Sequence, residues 1–283
     1  MRHSTGRASK RKSSMLILEI FMLILAAITF IPIYYLLVST FKTPEQATLN
    51  PLGLPLQPTF QNYIKAWGTM NYPRVFMNNL IITGCSVAGI VIFASMAAYT
   101  LSRKQNRLNN AIFYMFLSGI MIPFQMGLVS LYKLIIALHL MDRLPSVILV
   151  NISGGVVVAM FLFKTFISTT IPCELEESAF IDGCGVYRTF WQIVFPLLKP
   201  VIATVAILNT LNVWNDFMNP LLFLQSREKG VILLEIFRNI GQFSVDWTSL
   251  FPMLVLGVLP LMIFYVFMQK YIIKGVAAGA LKG

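Results

Sequence analysis

The chain has 283 residues, of which 57% are hydrophobic and 12% charged, against roughly 25% charged in ordinary soluble domains. That is too little charge to cover a water-soluble globule of this size, which argues against a soluble enzyme and a disordered chain. The formal net charge of +11 does not point to nucleic acid either, because the Lys and Arg residues sit in short gaps between apolar runs instead of clustering on a polar face.

In chain order, a basic tail with Arg2, Arg7, Lys10, Arg11 and Lys12 precedes an apolar run at 15–38 broken by Glu19 alone. This run is longer than the roughly 7–15 residues of a signal-peptide core, so it is predicted to stay as a first helix. A segment at 41–75 with Pro44, Pro51, Pro55, Pro58 and Pro73 is too rich in proline for a long regular helix. Uncharged runs follow at 80–101, 109–132, 144–163 and 248–269, and a run at 201–224 carries one acid, Asp216. A helix needs about 20 apolar residues to cross a bilayer. The expectation is therefore an all-α, polytopic integral membrane protein with six transmembrane helices. Pro32, Pro123, Pro252, Pro260 and the Gly154-Gly155 pair lie inside these runs. In a bilayer such breakers are tolerated where neighbours resupply hydrogen bonds, and both static kinks and moving parts account for them.

Counting Lys and Arg on alternate sides gives fourteen on the side of the termini and eight on the other. Cytoplasmic loops are the basic ones, so both termini are expected in the cytoplasm. The expected organisation is a basic cytoplasmic tail at 1–14, a transmembrane domain at 15–272 with a long cytoplasmic loop at 165–200, and a cytoplasmic tail at 273–283. Trp67 and Trp247 fall near the external interface, where aromatic belts are usual.

Chemistry-bearing motifs are scarce. Cys85, Cys173 and Cys184 form no pairing framework, and His3 and His139 have no metal-ligand spacing. The phosphate-loop pattern G-x-x-x-x-G-K-[ST] is absent, so ATP binding by this chain is not expected. No catalytic residue, metal or cofactor is expected.

Two places stand out. In the fifth run, Asn209, Asn212, Asn215, Asp216 and Asn219 fall within an arc of roughly 120° if the helix is continuous, at about 100° per residue; Trp214 falls outside it. Amides suit a polyhydroxylated ligand, and an ionisable group at this depth marks a pathway by default. Amides also glue transmembrane helices together, and pairing of Asp216 with a nearby amide is the plain alternative. In the loop at 165–200, Thr170 is placed to cap a helix, Pro172 to open it, and Glu174, Glu176 and Glu177 to favour its N-terminus. Gly183 is placed to stop it in a left-handed turn, and a second, amphipathic helix over 186–198 is predicted to follow. A solvated connector and a docking helix for a soluble partner both fit this pattern.

This loop resembles the signature loop of binding-protein-dependent ABC-transporter permeases. That family's pattern is Glu-Ala-Ala, three residues, Gly, nine residues, Ile, any residue, Leu, Pro. Glu177, Ser178, Ala179, Gly183, Ile193 and Pro196 stand in register with it, with Ser178 in place of an alanine and Phe195 in place of the leucine. The Gly-rich end at 275–283 and the Trp214-Asn215-Asp216-Phe217 stretch are similar to the carbohydrate-uptake subfamily, such as the six-span permease of the maltose transporter.

The resemblance implies a transmembrane permease subunit of an ATP-driven importer of sugars or oligosaccharides in a prokaryotic inner membrane. It implies a second permease subunit, commonly making a heterodimer, an ABC ATPase dimer that holds the ATP, and an extracellular solute-binding protein. It gives Glu177, Ser178, Ala179 and Gly183 the ATPase contact, Ile193 and Pro196 the anchoring of the next segment, and Gly279, Leu281 and Lys282 a second contact through the tail. The five polar residues of the fifth run would then line the substrate pathway. An ion-coupled secondary sugar transporter is the competing reading. It predicts internal repeats and several acids inside the spans, whereas Asp216 is the one acid deep in a run. A scaffolding subunit without a pathway is a third.

Overall fold

The computed structural model describes residues 5–240 and 246–280, with side chains over 15–240 and 246–269. Every regular element among them is helical, as apolar runs of this length require when no water is present to satisfy an open sheet edge. The chain divides into two compact units, residues 1–69 with 239–256 and residues 70–238 with 257–283.

In the first unit, α1 (Thr5–Ser39) exposes almost all of its apolar side chains from Met15 to Ile33. A helix apolar all round belongs in lipid or against other membrane helices. The proline-dense segment forms two short helices, α2 (Pro44–Leu49) and α3 (Gln61–Met70), and no long one. Thr43 caps α2 by accepting from the Gln46 amide, with Pro44 in the first turn. Lys42 is fully buried, its Nζ donating to the carbonyls of Asn50 and Pro51 at 2.7 and 2.9 Å. Burial lowers its ammonium pKa from the ordinary value. The Asn62 amide donates to the carbonyls of Thr40 and Lys42.

The second unit is built on α4 (Tyr72–Arg103), α7 (Leu144–Thr170) and α11 (Lys199–Trp214). Their shared core holds Ile90, Ala94, Ala98, Phe163, Ile167 and Val205, all essentially inaccessible. Small residues let these helices approach closely, as in other membrane bundles. At Gly155 of α7 an added Cβ would run into Ile90 Cδ1 of α4 and lie 2.7 Å from Asn209 Oδ1 of α11. At Gly89 it would run into Ile152.

Among the described residues, four helical stretches are long and apolar enough to cross a membrane, Met15–Ser39, Tyr72–Arg103, Leu144–Thr170 and Trp247–Gln269, and up to six are if each of two bent pairs counts as one. The third run is not the continuous helix expected. α5 (Arg107–Gly119), capped by Asn106, gives way to a tight turn, and after Phe124–Gly127 the chain resumes as α6 (Leu128–Ala137), bent by 94°. Pro123 has no amide hydrogen to continue the ladder, and the carbonyls of Leu117, Ser118 and Gly119 are taken by amides three residues on.

The fifth run is also broken. α11 ends at Trp214, Asn215 to Phe217 leave the helix, and α12 (Met218–Phe223) begins afresh. The Asp216 carboxylate accepts from the Asn219 amide at 3.2 Å, a local bond that competes with the helix ladder. The single 120° polar arc therefore does not exist as drawn from the sequence. α14 (Trp247–Ala280) does run through Pro252 and Pro260 as one helix.

Candidate functional site

α7 extends to Thr170, seven residues past its last expected turn. Thr170 therefore closes α7 and caps nothing after it, which corrects the sequence expectation. Ile171 is extended, as a residue before proline prefers, and Cys173 occupies the N-cap of α8 (Glu174–Ile181). Three acids in its first turn, Glu174, Glu176 and Glu177, complement the positive end of the helix dipole.

Gly183 ends α8 as expected, with φ +80°. The Gly183 amide donates to the Phe180 carbonyl at 3.1 Å and the Cys184 amide to the Ala179 carbonyl at 2.9 Å. These two bonds are the Schellman pattern that a left-handed residue permits.

Of the α8 side chains, Glu176 and Ala179 are buried. Glu177 and Ser178 face outward, and so do Leu175, Phe180 and Ile181, the last 86% exposed. Val186 and Tyr187, beyond the glycine turn, are exposed as well. A short acidic helix is thus fringed by exposed apolar side chains.

The segment after the turn is helical throughout but not uniform. It runs as α9 (Val186–Thr189), a π-helical turn at Phe190–Val194 and α10 (Phe195–Leu197), then bends by 76° into α11. The π turn aims Phe190 and Val194 into the core shared by α4, α7 and α11, and Leu198 at the bend joins them there. Ile193 is half-buried and Pro196 exposed; the deep anchors are Phe190, Val194 and Leu198.

Glu176 is the residue that sequence reasoning missed. It is 4% exposed. Its Oε1 lies 2.8 Å from both Nε and Nη2 of Arg103, and its Oε2 accepts from the Tyr99 hydroxyl at 2.9 Å. Arg103 Nη2 also donates to the Ile171 carbonyl at 2.8 Å. In the sequence, Arg103 reads as one more topogenic cation and Glu176 as one more helix-opening acid. Their partnership spans 73 residues and leaves no local signal.

The polar residues of the fifth run separate into two groups. Asn209 is half-buried with its amide bonded back to the Val205 carbonyl, and exposed Asn215 does the same to Leu211. Asn212 is exposed. At the break, Asp216 Oδ2 accepts from Asn219 Nδ2 at 2.8 Å and from Asn151 Nδ2 of α7 at 3.0 Å. Asn219 Oδ1 is buried without a hydrogen-bond partner among the described residues. The structure thus joins Asp216 and Asn219 to a residue the sequence reading did not select, Asn151, and keeps Asn212 and Asn215 outside that cluster.

The other end of α4 anchors a different loop. Asn78 Nδ2 donates to the carbonyls of Glu228 and Gly230. α13 (Ile232–Arg238) follows, with Glu235 buried and paired to Arg227 and Arg238. Asp142 Oδ1 accepts from the Gln225 amide and from the amide and hydroxyl of Ser226.

Gly279 belongs to α14, whereas Leu281 and Lys282 lie outside the described residues. Among the described residues no group of three or more His, Cys, Asp or Glu side chains is arranged to hold a metal ion.

Residues 89–278 match the family model of the binding-protein-dependent transport system inner membrane component. The chain belongs to this family. As an inner membrane component of this kind it is a multi-pass transport protein and not an enzyme. The matched stretch includes α8 and both broken runs.

Its relatives include the melibiose/raffinose/stachyose import permease protein MelC of Bacillus subtilis, 33% identical over 98% of this chain and 100% of the relative. The multiple sugar-binding transport system permease protein MsmG of Streptococcus mutans is 32% identical over 89% of this chain and 91% of the relative. The crystal structure of a bacterial ABC transporter that imports the acidic polysaccharide alginate has a chain of the same fold. Its TM-score is 0.81 at 20% identity, covering 96% of this chain and 99% of that one.

Proposed function

We propose that this inner membrane component is the permease subunit of an ATP-driven importer for sugars or oligosaccharides. It would work with a second permease subunit, an ABC ATPase dimer that binds the ATP, and an extracellular solute-binding protein. The reading draws on the names of relatives that match almost end to end, among them permeases for melibiose, raffinose and stachyose and for arabinooligosaccharides. Six crossings with both termini in the cytoplasm fit it, each bent pair counting as one crossing. They put the loop around α8 on the ATPase side.

The observation that carries the mechanism is the build of α8: a capped acidic helix with Glu177, Ser178 and a fringe of apolar side chains facing outward, rooted behind by Glu176. Glu177, Ser178, Ala179 and Gly183 form the proposed contact with the ATPase. Ile193 and Pro196 lie on the segment that carries the contact into the core, and the tail around Gly279, Leu281 and Lys282 supplies a second contact. Closure of the ATPase pair would pull α8, and the helices it is fixed to would swing the pathway between inward- and outward-facing states. Asn209, Asn212, Asn215, Asp216 and Asn219 line the proposed substrate pathway, where amides offer both donors and acceptors to sugar hydroxyls.

Uptake of a panel of labelled sugars, raffinose, melibiose and arabinotriose among them, tests the energy source. Cells depleted of ATP should lose uptake while cells treated with an uncoupler at sustained ATP keep it. The reverse pattern would favour ion coupling.

A further inference from the structure

Glu176 differs from the acids on either side of it. Glu174 and Glu177 face outward, while Glu176 is buried and its carboxylate is shared between two groups of α4. The rest of the attachment of α8 is slight. Ala179 is its other buried side chain. Its covalent links are the short stretch through Pro172 on one side and the Gly183-Cys184-Gly185 turn on the other, and a glycine-bracketed turn bends easily.

Behind Glu176 the contacts are stiff. The Tyr99 ring lies 5.3 Å from the Phe190 ring, centroid to centroid, so one side chain of α4 touches α8 through its hydroxyl and the π turn through its face. Arg103 holds Glu176 with two nitrogens and the last turn of α7 through the Ile171 carbonyl. Charge-assisted contacts of this kind, here converging on one carboxylate oxygen, are stronger than neutral ones. α4 and α7 in turn form the tightest part of the core, with Ile90, Ala94, Ala98 and Phe163 between them.

We propose that Glu176, acting through Arg103 and Tyr99, is the positioning residue that makes α8, α4 and α7 move as one body, so that displacement of α8 is delivered to the membrane helices instead of being absorbed by the glycine turn. This rests on the reading that α8 receives the ATPase stroke.

The test uses the whole transporter purified from its host, with Cys85, Cys173 and Cys184 changed to Ser and spin labels at Ile181→Cys on α8 and Leu80→Cys on α4, both exposed positions. In the labelled chain, once it is shown to assemble and hydrolyse ATP like the unlabelled one, the interlabel distance should be the same without nucleotide and after trapping with ATP and vanadate. In Glu176→Gln, with the assembled amount and basal ATP hydrolysis retained, trapping should shift it by about 2–5 Å, the scale of helix displacements in switching proteins. Tyr99→Phe removes one hydroxyl only. It should give a smaller shift, and it carries the test if Glu176→Gln does not assemble. A distance that changes on trapping in the native chain, or stays fixed in the assembled variants, overturns the proposal. If Glu176→Gln and Tyr99→Phe both abolish assembly, the role is structural only and the proposal falls as well. Absence of any ATPase or trapped state would instead remove the coupling reading itself.

Discussion

Asp142 sits in a left-handed conformation, φ 56°, and its one carboxylate oxygen gathers three donors from the chain beyond α12. The Ser226 amide, opposed by burial and helped by the Ser226 hydroxyl, the Gln225 amide and the charge of Lys229, holds its pKa below the ordinary carboxylate value. A carboxyl with a depressed folded pKa stabilises the fold above its unfolded value of about 3.9, and the contribution is lost as pH falls through the folded value. Hydrogen-exchange protection at Gln225 and Ser226, corrected for intrinsic rate, should therefore be flat from neutral pH to about 5 and fall only in stronger acid. Asp142→Ala should lower it at every pH; unchanged protection in that variant contradicts the assignment. At the polar break, Asp216→Leu would strand the amides of Asn151 and Asn219, a penalty of about 1–3 kcal/mol, so a loss of transport there would be ambiguous. Asn212 is exposed, and Asn212→Leu tests the pathway more cleanly. Insertion should be normal and sugar uptake reduced by about ten-fold, the effect of one lost hydrogen bond to a ligand. Full uptake would remove Asn212 from the pathway. Such residues were legible in the sequence as polar groups in apolar surroundings, but their pairings were not, because Asp142–Ser226, Asn151–Asp216 and Arg103–Glu176 join residues far apart in the chain.

Helix α8 was legible as an element: the acids of its first turn and the glycine at its end are local signals, and the structure places both where the pattern put them. Its start was misplaced at Thr170 because α7 continues to that residue, a boundary that packing of Phe163 and Ile167 decides. The breaks after Gly119 and Trp214 were hidden for a similar reason. Apolar composition is the same on either side, and the deciding features are one proline and one carboxylate that bonds its own backbone. The turn itself invites a direct experiment. Among the described residues no atom lies within 4 Å of an added Cβ at Gly183, so the penalty there is conformational, about 1–2 kcal/mol for a left-handed L residue. Gly183→Ala should leave insertion intact and lower the coupling of transport to ATP hydrolysis mildly, and Gly183→Pro should abolish it. Glu177→Lys, on the exposed face, should also uncouple without loss of the folded chain. Normal uptake by Gly183→Pro and Glu177→Lys together would rule out α8 as the docking element.

For the whole molecule, the class was legible from composition alone, since a chain this apolar has to be solvated by lipid along most of its helices. α1 shows the same at the scale of one element: its apolar surface is exposed from Met15 to Ile33, as expected of a helix that sits among lipid and other spans. The core of the second unit also predicts a specific weakness. Gly155→Val should prevent α4, α7 and α11 from closing around Ile90 and Asn209, and the yield of folded membrane protein should fall sharply while Gly154→Ala, where nothing lies within 4 Å of the added atom, expresses normally. The proposed importer needs partners that this chain does not contain, and their presence is the most direct test of the account. The tagged chain should be purified from its native host in mild detergent and everything that accompanies it quantified by mass spectrometry. The account predicts an ABC ATPase and a second permease in amounts comparable to this chain, with Glu177→Lys diminishing the ATPase alone. Recovery of the chain alone, or as a bare homodimer with an intact α8 and no ATPase, would contradict it.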